Sequence, residues 1–521
     1  MSSSSSHSQW KPRHNPWLIA VSVLLATFME VLDTSIANVA LPHIAGSLSA
    51  SVSEATWVLT SYLVANAIIL SATGWLSSYF GRKNYLGFSV ILFVVASAFC
   101  GMAHSLGQIV VARVLQGIGG GGLQPLSQAI LLESFSPEER GPAMAAYGMG
   151  IVVAPILGPT LGGWLTDSYS WRWIFYINIP IGIAGLIMQD LFVEDPPYIK
   201  AAKAPKIDYL GFGLMAIGIG LLQIILDKGQ EVDWFAAHWL RWCAAISAVS
   251  IILFIWHELR TRHPIVNLRV LKNRNFAVAT FLVAILGAIL YGSTATLPIL
   301  LQGLMGYTAL ASGWVMTPRG IGSLLSMIVV GRLVKKVDGR FLIAIGFSVI
   351  AITSWALSRL NFDIAPSNIQ IPLILNGFAN GFIFVPLTVV GYATLRQDAI
   401  FQATGIYNLM RNTGASIGIS VLVAMQDRSA QAHQVYLSGH LTPLSPNLRN
   451  FMHIVERSLP GSPKSAFHAA QGVVYQLLIQ QATFLSFMDV FRWMAEASFI
   501  CMFAIVLFKK AAPPAHVELV E

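Results

Sequence analysis

Long apolar segments dominate this chain and restrict its fold more than any other feature. Of its 521 residues, 55% are hydrophobic and 11% are charged, whereas a soluble domain carries roughly 25% charged residues. A helix needs about 20 mostly apolar residues to cross the hydrocarbon core of a bilayer. By that rule the sequence predicts an all-α polytopic membrane protein with fourteen transmembrane helices. The predicted spans cover residues 17–41, 54–78, 85–103, 106–132, 142–166, 173–192, 208–227, 239–259, 276–300, 311–334, 341–359, 369–395, 403–425 and 483–508.

The distribution of lysine and arginine orients these spans. With a cytoplasmic N terminus, the inside segments carry nineteen of these residues, and the outside segments and their borders carry eight. The positive-inside rule then places both termini in the cytoplasm. The net charge of +8 is therefore a topology signal, and no nucleic-acid partner is expected. Residues 1–16 are predicted to form a disordered cytoplasmic tail, and residues 509–521 a second cytoplasmic tail.

The stretch RVLQGIGGGGLQPL at 113–126 contains a G-x-G-x-x-G pattern that binds dinucleotides in another setting. That fingerprint requires a preceding strand, whereas Gly117 and the glycines after it lie inside a predicted span. In a bilayer we expect the helix to persist through these glycines and to let a neighbouring helix approach closely. The sequence contains no phosphate-binding loop, and its three cysteines are scattered in apolar runs. We therefore expect no cofactor and no metal.

The two halves of the chain resemble each other at an offset near 260 residues. GWLSSYFGRK (Gly74–Lys83) matches GRLVKKVDGR (Gly331–Arg340), and the span with Gly117 matches the span with Gly377. Each repeat holds six spans, and the remaining two are an insertion, so a substrate cavity is predicted between the halves near the bilayer midplane. The predicted domains are an N-terminal half at 17–192, an inserted pair with flanking cytoplasmic loops at 193–275, and a C-terminal half at 276–508 with a polar periplasmic loop at about 426–482.

Several motifs stand in order along the spans and carry a family resemblance. They are LDTSIANVALP (Leu32–Pro42), GWLSSYFGRK, RVLQG, APILGPTLGG (Ala154–Gly163), WRWIFYINIPIG (Trp171–Gly182) and, in the inserted pair, LQIILDKGQEVDWF (Leu222–Phe235). With these motifs nearly the whole chain resembles the major facilitator superfamily, specifically its fourteen-helix drug:proton antiporters of the EmrB type.

This resemblance implies a proton-coupled antiporter of the cell inner membrane that exports hydrophobic or amphipathic compounds. It also implies a periplasmic adaptor protein and an outer-membrane channel as partners. The sequence departs from the family pattern at two places. Ser78 and Tyr79 stand where the family has an acidic and a basic residue, so the charge pair of that cytoplasmic turn is incomplete. Glu30 is not part of the family pattern, so a role for it depends on its chemistry alone.

Charged side chains inside membrane spans are costly and are functional candidates by default. Asp33 in the first span is the predicted proton site, because a carboxylate can load and release a proton as access alternates. The alternative is a permanently ionised partner of an arginine that holds helices together. Glu30, three residues earlier on the same face, is a second proton-coupling candidate or a residue of a water-filled vestibule. Arg113 keeps its charge and requires a carboxylate or carbonyls around it; the resemblance implicates it in proton transfer.

Further residues are expected to act in gating, packing or polar contacts. In span five, prolines remove backbone hydrogen bonds and a G-x-x-x-G offers a flat helix face. The resemblance associates this motif with export, and ordinary tight packing is the alternative. The gating and packing group is Gly74, Gly81, Arg82, Gly117, Pro155, Gly158, Pro159, Gly162 and Gly163. The secondary polar candidates are Asn38, Arg319, Asn408, Arg411 and Asp489, the last of which could instead form a local ion-pair ladder with Arg492 and Glu496.

Two kinds of alternative function remain open from the sequence. A dedicated exporter of one metabolite, such as a siderophore or a fatty acid, would carry the same motifs. A membrane enzyme should show a catalytic cluster on a loop, and a receptor should carry a soluble signalling domain. The sequence has no such cluster and its cytoplasmic loops are short, so a transporter is favoured over an enzyme or a receptor.

Overall fold

A computed structural model describes residues 12–136, 138–195, 208–261, 264–362, 365–395, 399–442, 445–458 and 463–509. These residues are almost entirely helical and contain no strand, which confirms the all-α prediction. Most of the two predicted tails, at 1–11 and 510–521, lies outside the described residues. So do parts of the loops that flank the inserted pair.

The N-terminal half begins with a capped helix. The side chain of Asn15 accepts from the backbone N–H of Trp17 at 2.9 Å, and Pro16 occupies the first turn, as expected for a capped helix start. The helices of this half are α1 (Pro16–Ser47), α2 (Val52–Ala55), α3 (Trp57–Phe80), α4 (Arg82–Met102), α5 (Leu106–Gly120), α6 (Leu123–Ser134), α7 (Arg140–Ser168), α8 (Trp173–Tyr176) and α9 (Asn178–Phe192).

The glycine-rich segment departs from the prediction of one continuous helix. α5 ends at Gly120 and α6 begins at Leu123, with a turn at Gly121 and Gly122 between them. Pro125 has no N–H to donate to the carbonyl of Gly121, four residues earlier, so the hydrogen-bond ladder is interrupted there. The fourth predicted span is therefore two short helices that follow one another.

The inserted pair and the C-terminal half follow. The inserted helices pack against each other, and the first of them also packs against α3 and against the long helix Ile400–Ser438 of the other half. A short π-helical turn, Ile299–Leu304, follows Pro298. The helices are α10 (Tyr209–Lys228), α11 (His238–Arg260), α12 (Arg274–Pro298), α13 (Ala309–Leu333), α14 (Gly339–Leu357), α15 (Pro366–Tyr392), α16 (Ile400–Ser438), α17 (Pro446–Ser458) and α18 (Pro463–Met502).

Within the described residues, twelve helices are long and apolar enough to cross a membrane, compared with fourteen predicted spans. The predicted span 106–132 is not among them, because its two helices are each too short. The predicted span 403–425 lies in α16, which is long but too polar. Asn408 and Arg411 contribute to that polarity, and both are buried inside the bundle.

The predicted polar loop at about 426–482 is mostly helical in the structure. α16 continues to Ser438, α17 occupies Pro446–Ser458 and α18 begins at Pro463. The long helices α16 and α18 pack against each other and form a hairpin, and the short helix α17 between them in sequence packs against α18. Polar faces on these helices lower the average hydropathy, which explains why the sequence predicted a loop.

The two halves contact each other at the end that the charge distribution assigns to the cytoplasm. At the start of α7, Gly141 lies against Val334, which follows α13. Gly74 of α3 lies against Gln402 of α16. A Cβ added at Gly74 would lie 3.2 Å from the Cα of Gln402. These contacts close one end of the interface between the halves.

Candidate functional site

A buried ion pair joins α1 to α5. Nη1 of Arg113 donates to Oδ2 of Asp33 at 2.6 Å, and each side chain is 1% exposed. Nε of Arg113 donates to the carbonyl of Val58 at 2.9 Å, and the guanidinium lies 4.3 Å from the ring centroid of Tyr62. A buried arginine cannot lose its charge and requires partners of this kind. The structure thus brings together the two residues that the sequence singled out from different spans.

Two amides that the sequence analysis missed complete the surroundings of Asp33. Its Oδ1 accepts from Nδ2 of Asn178 at 2.7 Å and from Nε2 of Gln116 at 2.9 Å. Both amides also donate to the Ser97 hydroxyl, at 3.0 and 3.2 Å. Every partner of the carboxylate is a donor, which suits its ionised form. A signal for them existed, since Gln116 lies one helical turn after Arg113 and Asn178 lies in the motif WRWIFYINIPIG.

Glu30 occupies a second buried position on α1. Its Oε1 accepts from Nδ2 of Asn66 at 3.1 Å, and the same nitrogen lies 3.3 Å from the Tyr62 hydroxyl. Gln124 and Arg411 also lie close to this carboxylate. Tyr62 therefore stands between the two acidic residues of α1, with its ring at the ion pair and its hydroxyl at the amide that binds Glu30.

Two side-chain hydrogen bonds connect the halves at the middle of the bundle. Nη2 of Arg411 donates to Oε1 of Gln124, and Nδ2 of Asn408 donates to Oε1 of Gln128 at 2.7 Å. All four side chains are buried, and they join α16 to α6. We call these four residues the inter-half bridge. The sequence analysis named its C-terminal members and missed both glutamines.

The remaining secondary candidates lie away from the ion pair. Arg319 is buried near the middle of α13, where Nη1 donates to the Thr294 hydroxyl at 3.2 Å. Oδ2 of Asp489 lies 2.8 Å from Nε2 of His433 on α16, while Arg492 and Glu496 pair with each other. Asp489 is therefore not part of an ion-pair ladder on α18.

Asn38 is exposed and donates to the carbonyl of Thr34 in its own helix at 3.0 Å. It lies at the outer part of α1 and contributes no contact to the buried ion pair. The structure thus separates Asn38 from the residues that surround Asp33.

The turn after α3 is held by two acidic residues, one in α6 and one just after α9. Gly81 has a φ of 81°, a left-handed conformation that glycine adopts readily. Oδ1 of Asp195 accepts from the backbone N–H of Arg82 at 3.1 Å, and the Arg82 side chain pairs with Glu133 of α6. Ser78, where the resemblance implies an acidic residue, donates to the carbonyl of Gly74 in its own helix at 2.8 Å. Asp195 and Glu133 therefore supply negative charge to this turn.

The glycines of α5 allow close packing against α3, as the sequence predicted. A Cβ added at Gly117 would lie 2.5 Å from the carbonyl oxygen of Tyr62. A Cβ at Gly121 would lie 2.6 Å from the carbonyl oxygen of Asn66. The backbones of the two helices therefore approach so closely that no side chain fits between them.

Most of the predicted glycine face of span five packs against α1. A Cβ added at Gly158 would meet the side chain of Ser35. A Cβ added at Gly162 would lie 3.0 Å from Cγ2 of Ile36. Gly163 differs, since no atom lies within 4 Å of its added Cβ. The carbonyl of Pro155 accepts from the Ser35 hydroxyl at 3.4 Å, and the side chain of Pro159 lies outside the described residues. α7 nevertheless continues unbroken through both prolines.

Comparisons with known proteins agree with this architecture. The profile of the Major Facilitator Superfamily matches residues 23–419. The chain is 36% identical over 498 residues to the multidrug export protein EmrB of Haemophilus influenzae, covering 95% of this chain and 96% of that protein. It is 35% identical over 502 residues to the fatty acid resistance protein FarB of Neisseria gonorrhoeae, covering 96% of each.

Solved structures give the same fold at lower sequence identity. The human organic anion transporter MFSD10 matches with a TM-score of 0.58 at 13% identity, covering 93% of this chain and 100% of that chain. The proton:xylose symporter XylE bound to 6-bromo-6-deoxy-D-glucose matches with a TM-score of 0.58 at 15% identity, covering 92% and 94%. The chain therefore belongs to the major facilitator superfamily, in its EmrB-type group, and is a multi-pass membrane transporter rather than an enzyme.

Proposed function

We propose that this transporter is a proton-driven antiporter of the inner membrane that exports hydrophobic or amphipathic compounds. The observation that carries the proposal is the buried pair of Asp33 and Arg113. A carboxylate deep in a membrane bundle is a candidate proton site by default, and here it lies on the helix that also packs against α7. The similarity to multidrug export proteins supports the export of drug-like compounds.

The donors around Asp33 suggest how proton binding would change the structure. In the present arrangement Arg113, Gln116 and Asn178 all donate to the carboxylate. A proton on Asp33 would remove the charge that Arg113 now neutralises. Arg113 would then need another partner, because its own charge is permanent. Rearrangement of α1 against α5 is therefore the expected consequence of proton binding.

The inter-half bridge relates this local change to movement of the halves. Arg411 lies close to both Gln124 and Glu30, so an acidic residue of α1 faces a cation of the opposite half. Alternating access by rocking of the halves requires the bridge to break and form again. Glu30 is accordingly proposed as a second proton-coupling residue.

The first test replaces Asp33 by asparagine. Asp33→Asn keeps the size and shape of the side chain and one of its two acceptor oxygens but cannot exchange a proton, so uphill export driven by an imposed pH gradient should fall to the background level. Purified protein in proteoliposomes gives the measurement. Asp167→Asn is the matched control, since that carboxylate lies in the same half and is 75% exposed; it should transport normally. Normal uphill export by Asp33→Asn would end the proposal.

The relative FarB, named a fatty acid resistance protein, favours a second candidate, a dedicated exporter of one acidic metabolite. Flux measurements with a panel of chemically different compounds separate the two candidates. Transport of many unrelated compounds supports a multidrug exporter, and transport of one class alone supports a dedicated one.

We also propose that the helical hairpin of α16, α17 and α18 docks a periplasmic adaptor protein. An outer-membrane channel would be the third part of such a pump. Its exposed apolar side chains include Val435 at 73% and Ile454 at 68%. Replacing residues 439–462 by a short flexible linker leaves the contact between His433 and Asp489 in place. Transport in proteoliposomes should then persist while drug resistance of cells falls. Loss of purified transport would assign the hairpin to the transport cycle instead.

A further inference from the structure

Arg319 is a buried cation that has no carboxylate partner among the residues that the structure describes. Its side chain lies near the middle of α13, and the residue is 8% exposed. Nη1 makes one hydrogen bond, to the Thr294 hydroxyl at 3.2 Å, and Nε has no partner. Within the part of the chain that the structure describes, no carboxylate lies within ion-pair distance of it. An arginine has five N–H donors and keeps its charge, so most of its binding capacity is unused.

Two other buried arginines of the bundle have a carboxylate partner. Arg113 is paired with Asp33, and Arg82 is paired with Glu133. Arg411 stands between the two cases: it donates to the neutral amide of Gln124, its Nε has no partner among the described residues, and Glu30 is the acidic residue in its surroundings. Burying an unpaired charge is costly, and among the described residues Arg319 has no acidic group that acts on it, whereas Arg113, Arg82 and Arg411 each have one.

The position of Arg319 makes its guanidinium reachable. Its backbone packs against Gly377 of α15, while its side chain extends to Thr294 of α12. α15 packs against both α12 and α13, whereas these two helices have little contact with each other. Thr294 is exposed, so the hydroxyl that accepts from Arg319 belongs to a side chain that can be reached from outside the bundle.

We propose that Arg319 binds the carboxylate head group of amphipathic anionic compounds and so selects them as substrates. A carboxylate would supply the missing charge and two acceptor oxygens, and guanidinium groups bind carboxylates by two parallel hydrogen bonds. The hydrocarbon part of such a compound would lie along the apolar residues of the spans. This inference rests on the proposed export function and adds the chemical class of the substrate. It also places anion binding in the C-terminal half and proton exchange in the N-terminal half.

The test measures equilibrium binding of radiolabelled decanoate to the purified full-length protein, with decyltrimethylammonium as the cationic compound of the same chain length. Arg319→Gln should weaken decanoate binding by about tenfold or more, since a charge-assisted pair is lost, and should leave the cation unaffected. Arg319→Lys should restore part of the affinity, because it keeps the charge but loses the two-point geometry. Arg359→Gln is the control, because Arg359 is exposed and lies over Trp355; it should bind both compounds normally.

Thermal unfolding in detergent separates a ligand-binding role from a structural one. Removing an unpaired buried charge should raise the unfolding temperature of the ligand-free Arg319→Gln variant, and decanoate should no longer stabilise it. Unchanged decanoate binding by this variant would overturn the assignment. Equal loss of both compounds, or a lower unfolding temperature without ligand, would also overturn it. Competition by chloride at the same concentration as decanoate would show a site for small inorganic anions instead.

Failure of this inference is distinguishable from failure of the proposed function. If Arg319→Gln binds decanoate normally and wild-type protein still exports compounds under a pH gradient, the assignment of Arg319 is wrong and the antiporter stands. If wild-type protein shows the expected decanoate binding but no proton-driven export, the anion site stands and the antiporter is wrong.

Discussion

Arg113 contacts the carboxylate of Asp33, the carbonyl of Val58 and the ring of Tyr62. Removing one partner of a buried ion pair leaves the other charge without compensation. Arg113→Ala should therefore shift the pH of half-maximal transport by about one unit or more and should change substrate affinity less. Transport by proteoliposomes across a range of pH gives the profile, and ligand binding at fixed pH gives the affinity.

The conservative variant sharpens this residue-level prediction. Arg113→Lys keeps a positive charge but loses the planar group that bonds Asp33 and Val58 together. Its pH profile should lie between those of wild type and Arg113→Ala. An unchanged profile with weaker substrate binding in both variants would make Arg113 a substrate or packing residue.

At the scale of helices, the packing of α5 against α3 depends on the absence of side chains. Gly117→Ala would place a methyl group 2.5 Å from a backbone oxygen of α3, and overpacking of this kind costs about 1–3 kcal/mol. We expect a lower unfolding temperature and reduced transport. Gly107→Ala is the control within the same helix, since no atom lies within 4 Å of its added Cβ; it should match wild type. Equal stability of the two variants would contradict the prediction, because it would show that α3 and α5 move apart at little cost in free energy.

For the whole molecule, transport requires the closed end of the interface to open. Gly141 and Val334 lie in contact across the two halves, so Gly141→Cys with Val334→Cys should form a disulfide that holds this end closed. Transport should stop under oxidising conditions and return on reduction. The variant is made without the three native cysteines, Cys100, Cys243 and Cys501.

Each single-cysteine variant serves as a control for this experiment and should transport under both conditions. Full transport by the oxidised double variant, with the cross-link verified by mobility on a gel, would contradict movement of the halves at this contact.

The sequence by itself determined the class of the molecule, the order of its membrane segments and the residues that carry charge inside them. Hydropathy is a local property, and a charged residue within an apolar run is conspicuous wherever the run packs. Asp33, Arg113 and Glu30 could therefore be identified from sequence, and the repeated motifs indicated two related halves.

Only the tertiary structure decided which groups meet. Asn178 lies 145 residues from Asp33, and Gln124 lies 287 residues from Arg411, so no local pattern could have paired them. That no carboxylate among the described residues pairs with Arg319 is likewise visible only in the tertiary structure. The helices α16 and α18 also extend beyond the predicted spans 403–425 and 483–508, and they pack against each other. Their polar residues lower the hydropathy on which span prediction relies, so the sequence did not show this extension.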